Sequence, residues 1–286
     1  MLMLKLIVCI IASENPDYNN FKELWKANIN YIKTNRNNKI EYDFYFVYGG
    51  ETNKINHINY YTELYYDIPE TLPNILRKTI RSFEYFSHIY DKGKSHKQDF
   101  FVLRTNISTI FDFEKYTMWL DRSPLQNFLG GSMIEGYLGY GTTFSGTNTV
   151  MSFDIMKFII KHQDRFIYTY NEDTELSSLV MYNTNCYIKT MKRLDFLNNK
   201  VIFHRCKLYN SDICCYRFKS NDRKRDYALA KIILDLIHNG KNVNDYVIDN
   251  FDEGIISSEG EIYDDLSNKI VKVDPSNNSN ILVCKM

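Results

Sequence analysis

The sequence predicts an α/β fold: a mixed central sheet flanked by helices, with a small β or irregular appendage at the carboxyl end. Three observations predict it. Short apolar runs such as Leu4–Ile11 and Glu41–Tyr48 read as strands, and amphipathic helices alternate with them at α/β spacing. Phe100–Leu103 is apolar and aromatic throughout, as a central strand covered on both faces must be. That run stops abruptly at Arg104-Thr105-Asn106-Ile107-Ser108-Thr109, a mostly polar stretch before a helical pattern, and open α/β sheets bind their ligands at such strand ends.

Taken in order, Leu4–Ile11 is the first strand. The opening MLMLKLIVCIIAS also mimics a secretory signal, with a lysine, seven apolar residues and a small one. The helix and strand behind it favour a buried strand, and the run is too short to span a bilayer. Helix Phe21–Ile32 follows, with Phe21, Leu24, Trp25, Ile29 and Ile32 on one face. Strand Glu41–Tyr48 ends at Gly49-Gly50, and Tyr65–Ile68 reads as a short third strand before Pro69 and Pro73. Helix Asn74–Ile89 turns Leu76, Ile80, Phe83, Phe86 and Ile89 inward and Arg77, Lys78 and Arg81 outward as a cationic face. A polar loop, Asp91–Gln98, leads to the central strand, and the helix after it takes Phe111, Phe113, Tyr116 and Leu120 as its apolar members.

Leu129–Gly146 holds six of the twelve glycines (130, 131, 136, 139, 141 and 146), which predicts strands with bulges or close backbone approach. They form no G-x-G-x-x-G fingerprint, so no dinucleotide fold is read here. Ser152 is the expected N-cap of helix Ser152–Lys161. Asn171-Glu172-Asp173-Thr174-Glu175 opens a helix to Tyr182, and carboxylates in a first turn suit the helix dipole. Strands Val201–Cys206 and Ile213–Phe218 end in cations: His204, Arg205 and Lys207, then Arg217 and Lys219. Helix Asp222–His238 stops at Asn239-Gly240. The main domain thus spans 1–240. Residues 241–286 read as an acidic tail or small hairpin, with eight acidic residues and no Lys or Arg from Asn242 to Asn268.

With 286 residues, 44% hydrophobic and 15% aromatic, the chain buries a large core and is not disordered as a whole. Thirty-five basic and thirty-five acidic residues cancel, which removes a global field for nucleic acid or an anionic membrane but leaves room for a local phosphate site. The six cysteines show no CxxC pair and no metal spacing, and adjacent Cys214 and Cys215 do not pair with each other. Reduced thiols in the cytoplasm are the plain reading.

Four stretches, in order, resemble the GT-A glycosyltransferases, the broad group that includes galactosyltransferase-like and large-DNA-virus enzymes. Phe101–Ser108 (FVLRTNIS) resembles the strand "FVLKTDDD" that carries the family's metal motif. Ser145–Ser152 (SGTNTVMS) resembles a Ser-Gly-x-x-x-x-x-Ser segment, and Glu172-Asp173 an acidic "EDV" helix start. Tyr216–Asp226 (YRFKSNDRKRD) resembles the late R-x-K-S…R-x-x-D stretch of viral members. The resemblance runs from Leu4 to about His238 and implies a Rossmann-like GT-A domain. The implied activity is transfer of a hexosyl or deoxyhexosyl group from a UDP- or GDP-linked donor to a glycan or glycoprotein, in the cytoplasm of a host cell if the chain is viral. No nucleic acid and no membrane span enter this reading.

One departure stands out. Where the family carries Asp-x-Asp, this chain has Asn106-Ile107-Ser108. Paired carboxylates hold Mn²⁺ or Mg²⁺, which neutralises the diphosphate. Here Asn106 is the remaining metal-ligand candidate, and the alternatives are weak metal binding, replacement by Arg104, Arg217 and Lys219, or a catalytically inactive protein that binds nucleotide-sugar or glycan. The resemblance makes Asp173 the expected base of an inverting transfer, with Glu172 and Glu175 its competitors and helix capping the alternative role. It places Ser13 and Asn15 at the base or ribose, Arg104, Thr105, Asn106 and Ser108 along ribose and diphosphate, and Ser145 and Gly146 at the sugar or acceptor. Arg217 and Lys219, alternate residues of one strand end, share a face and suit a departing diphosphate. Lys78 and His204 complete the candidate nucleotide-sugar contacts, His204 with a structural role as the alternative.

Overall fold

The computed structural model describes residues 4–35, 40–91, 100–134, 143–168, 172–197, 200–204, 213–250, 261–264 and 269–272. It is a mixed α/β architecture, a large mixed sheet flanked by helices, of the Rossmann-like kind. The central strand β1 (Leu4–Ile11) runs parallel to β2 (Ile40–Gly50) on one side and β5 (Phe100–Asn106) on the other. Helix α1 (Asn19–Thr34) joins β1 to β2. The hairpin β3 (Lys54–Ile58)–β4 (Tyr61–Asp67) extends the sheet past β2, and α2 (Ile75–Asp91) carries the chain back to β5. Beyond β5 the pairing becomes antiparallel, through β8 (Thr143–Ser152) to β7 (Phe128–Ile134), with β9 (Tyr187–Thr190) at the edge.

A second sheet runs β11 (Lys200–His204), β10 (Arg193–Leu197), β12 (Cys215–Phe218), β6 (Thr109–Phe111). The remaining helices are α3 (Phe113–Leu120), α4 (Phe153–Lys161), α5 (Glu172–Asn183), α6 (Arg223–His238) and α7 (Val243–Asn250). Strands β13 (Glu261–Asp264) and β14 (Lys269–Lys272) pair antiparallel, as a hairpin would. Among the described residues no helix is long and apolar enough to cross a membrane.

Strand alternation builds the two cores. Leu6, Val8 and Ile10 of β1, with Phe101 and Leu103 of β5, join α1, α3, α6 and the second sheet. Ile7, Cys9 and Ile11, with Phe100 and Val102, join α2, α4 and α5. The same parity turns Arg104 toward α2 and α5. The tight turn after β5 is pinned from three sides: Ile107 N donates to Ile11 O (3.0 Å), the Trp25 indole to Ile107 O (2.9 Å), and Phe218 N to Ser108 O (3.0 Å). Gly131, at φ 140°, sits beside a register shift between β7 and β8, where an added Cβ would lie 1.9 Å from Asn148 O.

Several sequence expectations are corrected. Strand β5 continues through Asn106 instead of stopping at Leu103. Phe111 lies in β6 rather than a helix, because Cys215 of β12 pairs with it. Strand β3 escapes detection because it is mostly exposed, and β10 because its alternate residues Arg193 and Asp195 are buried but charged. Ser152 stands at the N-cap position of α4, yet its hydroxyl accepts from Phe128 N (3.0 Å) instead of capping the helix. Lys78 is not on an outer face: it is 2% exposed, while Arg81 is exposed. The main body also runs past residue 240, since Val243 and Val247 lie in the first core. Arg205, Cys206, Lys207, Asn171, Gly136, Gly139, Gly141 and the loop 92–98 lie outside the described residues.

Ending the chain after Gly240 should therefore cost about 3 kcal/mol in urea unfolding relative to a chain ended after Asn250, the burial of two valines. Equal stability of the two would show that α7 adds nothing to the core.

Candidate active site at the switch point of the sheet

The chain leaves β1 in one direction to reach β2 and β4, and later returns to place β5 on β1's other side. The carboxyl ends of β1 and β5 therefore flank a topological switch point, the place where open α/β sheets leave a crevice. Ser13 and Asn15 stand at one lip and Asn106 at the other. Ser13 Oγ accepts from Asn15 N (3.2 Å), and Asn15 Oδ1 accepts from Asp17 N (3.0 Å), so both shape the local turn.

Strand parity delivers Arg104 to a buried ion pair. Its Nη2 donates to Glu172 Oε2 (2.5 Å) and its Nη1 to Asn106 Oδ1 (2.8 Å), while the Thr79 hydroxyl of α2 donates to Glu172 Oε1 (2.8 Å). Arg104 passes beside Gly146, where an added Cβ would lie 2.6 Å from Nη1. Burial, reinforced by the charge of Asp173, holds the Glu172 carboxyl above its ordinary range against the pull of Arg104. Glu172 is thus the counter-ion of Arg104. Cys9, behind the pair, has its thiol pushed up to about 12, chiefly by burial, and is not a poised nucleophile.

Asp173, the next residue of α5, is partly exposed. Its Oδ2 accepts from Gly146 N (3.0 Å) and its Oδ1 from Thr174 N (3.0 Å). From Gly146 the network continues through Thr147, whose Oγ1 accepts from Arg193 Nη1 (2.6 Å). Arg193 pairs with Asp195 (2.6 and 2.9 Å), and Asp195 Oδ2 also accepts from Arg217 Nη1 (3.2 Å).

Lys219 completes this tier. Burial first, then the charges of Arg217 and Arg193, push its ammonium down to about 8 against the opposing pull of Asp195 and Asp173. The start of the late motif locks it in place: Asp226 accepts Ser220 N with both oxygens (3.2 and 3.0 Å) and pairs with Arg223 (2.9 Å). Among the described residues, Arg193, Arg217 and Lys219 gather around Asp195, and Lys219 also feels the charge of Asp173.

The structure thus links Asn106 to the start of α5 through Arg104, Ser108 to β12 through Phe218 N, and Asp173 with Arg217 to Lys219 through their charges. Other sequence candidates are turned inward. Thr105 is fully buried and donates to Thr147 O (2.7 Å). Ser145, 2% exposed, shares a hydrogen bond with Thr147 (2.8 Å). The Lys78 ammonium is engaged by Ala12 O (3.2 Å) and Glu70 (2.8 Å). The side chain of His204 lies outside the described residues. Sequence reasoning missed Arg193, Asp195 and Thr147; the signal was the R-x-D alternation in Arg193-Leu194-Asp195-Phe196, which puts both charges on one strand face.

The donor set does not fit a divalent cation. The one amide oxygen at the motif position already accepts a guanidinium, Ile107 is buried, and Ser108 adds only a neutral oxygen. A separate open groove of about 310 Å³ lies by the amino-terminal ends of β2 and β4, lined by Lys33, Asp43, His57 and Tyr60. Its Asp43 is held by Lys5 and Tyr90, and its Lys33 by Tyr42 O, so it gathers no reactive set. No protein-family model matches the chain, and no curated protein matches it.

Glu172→Gln should destabilise the fold by about 3 kcal/mol in urea unfolding, because Arg104 is left as an uncompensated buried charge. A change below about 0.5 kcal/mol would show the pair to be energetically idle. The Lys219 ammonium is charged below about pH 8 and neutral above it. Affinity for inorganic pyrophosphate should therefore fall as pH rises through 8, and Lys219→Arg should flatten that fall, since an arginine keeps its charge. Parallel pH profiles in the two proteins would place Lys219 outside the anion site.

Proposed function

We propose that the chain is a glycosyltransferase of the GT-A type, moving a sugar from a UDP- or GDP-linked donor to a hydroxyl of a glycan or glycoprotein. One observation carries this reading: a partly exposed carboxylate, Asp173, shares one network with the cations Arg193, Arg217 and Lys219 beside the switch point of the sheet. A nucleoside diphosphate is anionic at its leaving end, and the cations Arg217 and Lys219 suit that charge. The four ordered motifs and the mixed sheet support the same reading. A cytoplasmic setting fits the buried thiols of Cys9 and Cys215.

In the reaction the acceptor oxygen attacks the anomeric carbon while the bond from that carbon to the diphosphate oxygen breaks. The acceptor proton passes to Asp173, the electron pair of the broken bond leaves with the diphosphate, and Arg217 and Lys219 stabilise its growing charge. A single displacement inverts the anomeric centre. Gly146 N orients the base through Oδ2, and the Arg104–Glu172 pair holds the start of α5 in place. The neutral Asn106-Ile107-Ser108 favours a second reading, a protein that binds nucleotide-sugar without turnover. Donor cleavage measured across metals and EDTA separates the two.

Asp173→Asn should lower kcat at least 100-fold, about the contribution of a general base, with donor Kd changed less than about threefold. Unaltered turnover would remove Asp173 from the mechanism.

A further inference from the structure

We infer that Asn106 is a hydrogen-bond donor to a diphosphate, and that the crevice takes this anion without a divalent cation. The inference takes its ligand class from the glycosyltransferase reading and rests on it to that extent. A guanidinium carries donors only, so the Asn106 atom 2.8 Å from Arg104 Nη1 is the carbonyl oxygen. The amide nitrogen is then directed away from Arg104. Asn106 is partly exposed, and among the described residues its Nδ2 donates to no protein acceptor.

The orientation is built in. Arg104 is 2% exposed, its other arm is held by Glu172, and Gly146 leaves no room to add even a Cβ beside it. Flipping the Asn106 amide would set two donors against each other. The polarity of this position is thereby reversed. A carboxylate pair there presents acceptors to a metal, and the metal meets the phosphates. Here the amide presents N–H directly, and a dication at the same place would meet the Arg104 guanidinium across a single oxygen.

Two further features converge on the same anion. Ser108 O accepts from Phe218 N (3.0 Å), which sets the turn after β5 beside Lys219 at the end of β12. Arg217 and Lys219 bring cationic side chains to the same end of β12. Asn106 and Lys219 thus approach one ligand from two strand ends.

The test is calorimetric titration of the full chain with inorganic pyrophosphate in EDTA and in Mn²⁺. Wild type should bind in EDTA, with Mn²⁺ tightening the complex less than about threefold. Asn106→Ala should weaken binding in EDTA about tenfold, the loss of one hydrogen bond to a charged group, and Asn106→Asp should weaken it further. Thermal melts would show both variants folded, since the carboxylate introduced by Asn106→Asp can still accept from Arg104. Binding that requires Mn²⁺, or an Asn106→Ala variant that binds as tightly as wild type, would overturn the inference. The two readings fail separately. Metal-free pyrophosphate binding with no cleavage of any nucleotide sugar would remove the transferase and leave the anion site standing. Sugar transfer abolished by EDTA would do the reverse.

Discussion

The Arg104–Glu172 ion pair is the constraint around which this crevice is arranged. It joins β5, at the centre of the sheet, to the first turn of α5, and through Thr79 it also reaches α2. A pair this deep carries a desolvation penalty, and removing either member would strand a charge in the core. Its neighbours are therefore fitted to it: Gly146 leaves space for the guanidinium, and Asn106 turns its oxygen inward to meet it. The placement of Asp173 follows, because it is the residue after Glu172 and bonds the backbone at Gly146.

The second sheet supplies the opposite wall by the same alternation that builds the cores. Leu194, Phe196, Tyr216 and Phe218 face the apolar cluster around α1 and α6. The intervening Arg193, Asp195 and Arg217 form a charged face that meets β8 through Thr147. Buried charges in such a layer are tolerable because each is paired and hydrogen-bonded, and the arrangement holds the partly exposed cations rigidly.

Much of the framework is legible in the chain. Leu4–Ile11 is a strand to the residue, and the helices with Trp25 and with Phe83 fall where their apolar spacing puts them, because one-sided burial imposes the helical period. Expectation fails where a tertiary partner outweighs the local pattern. Phe111 belongs by spacing to a helix but pairs with Cys215, and Ser152 is a good cap that bonds a neighbouring strand instead. Arg193 and Asp195 look like surface residues of a loop, since nothing local marks two charges as buried.

The order of residues already lays out the available chemistry: a polar stretch at the end of a buried strand, an acidic pair opening a helix, and two cations alternating at a late strand end. Composition and spacing suffice for that because they are properties of the chain. How those groups divide their work comes from packing. Glu172 is spent on Arg104 and Asp173 is not, Lys78 is buried on Glu70 while Lys219 is partly exposed, and Asn106 turns its oxygen to Arg104. Each of those outcomes depends on a partner distant in sequence, and the partner's charge and position, set by packing, fix the role.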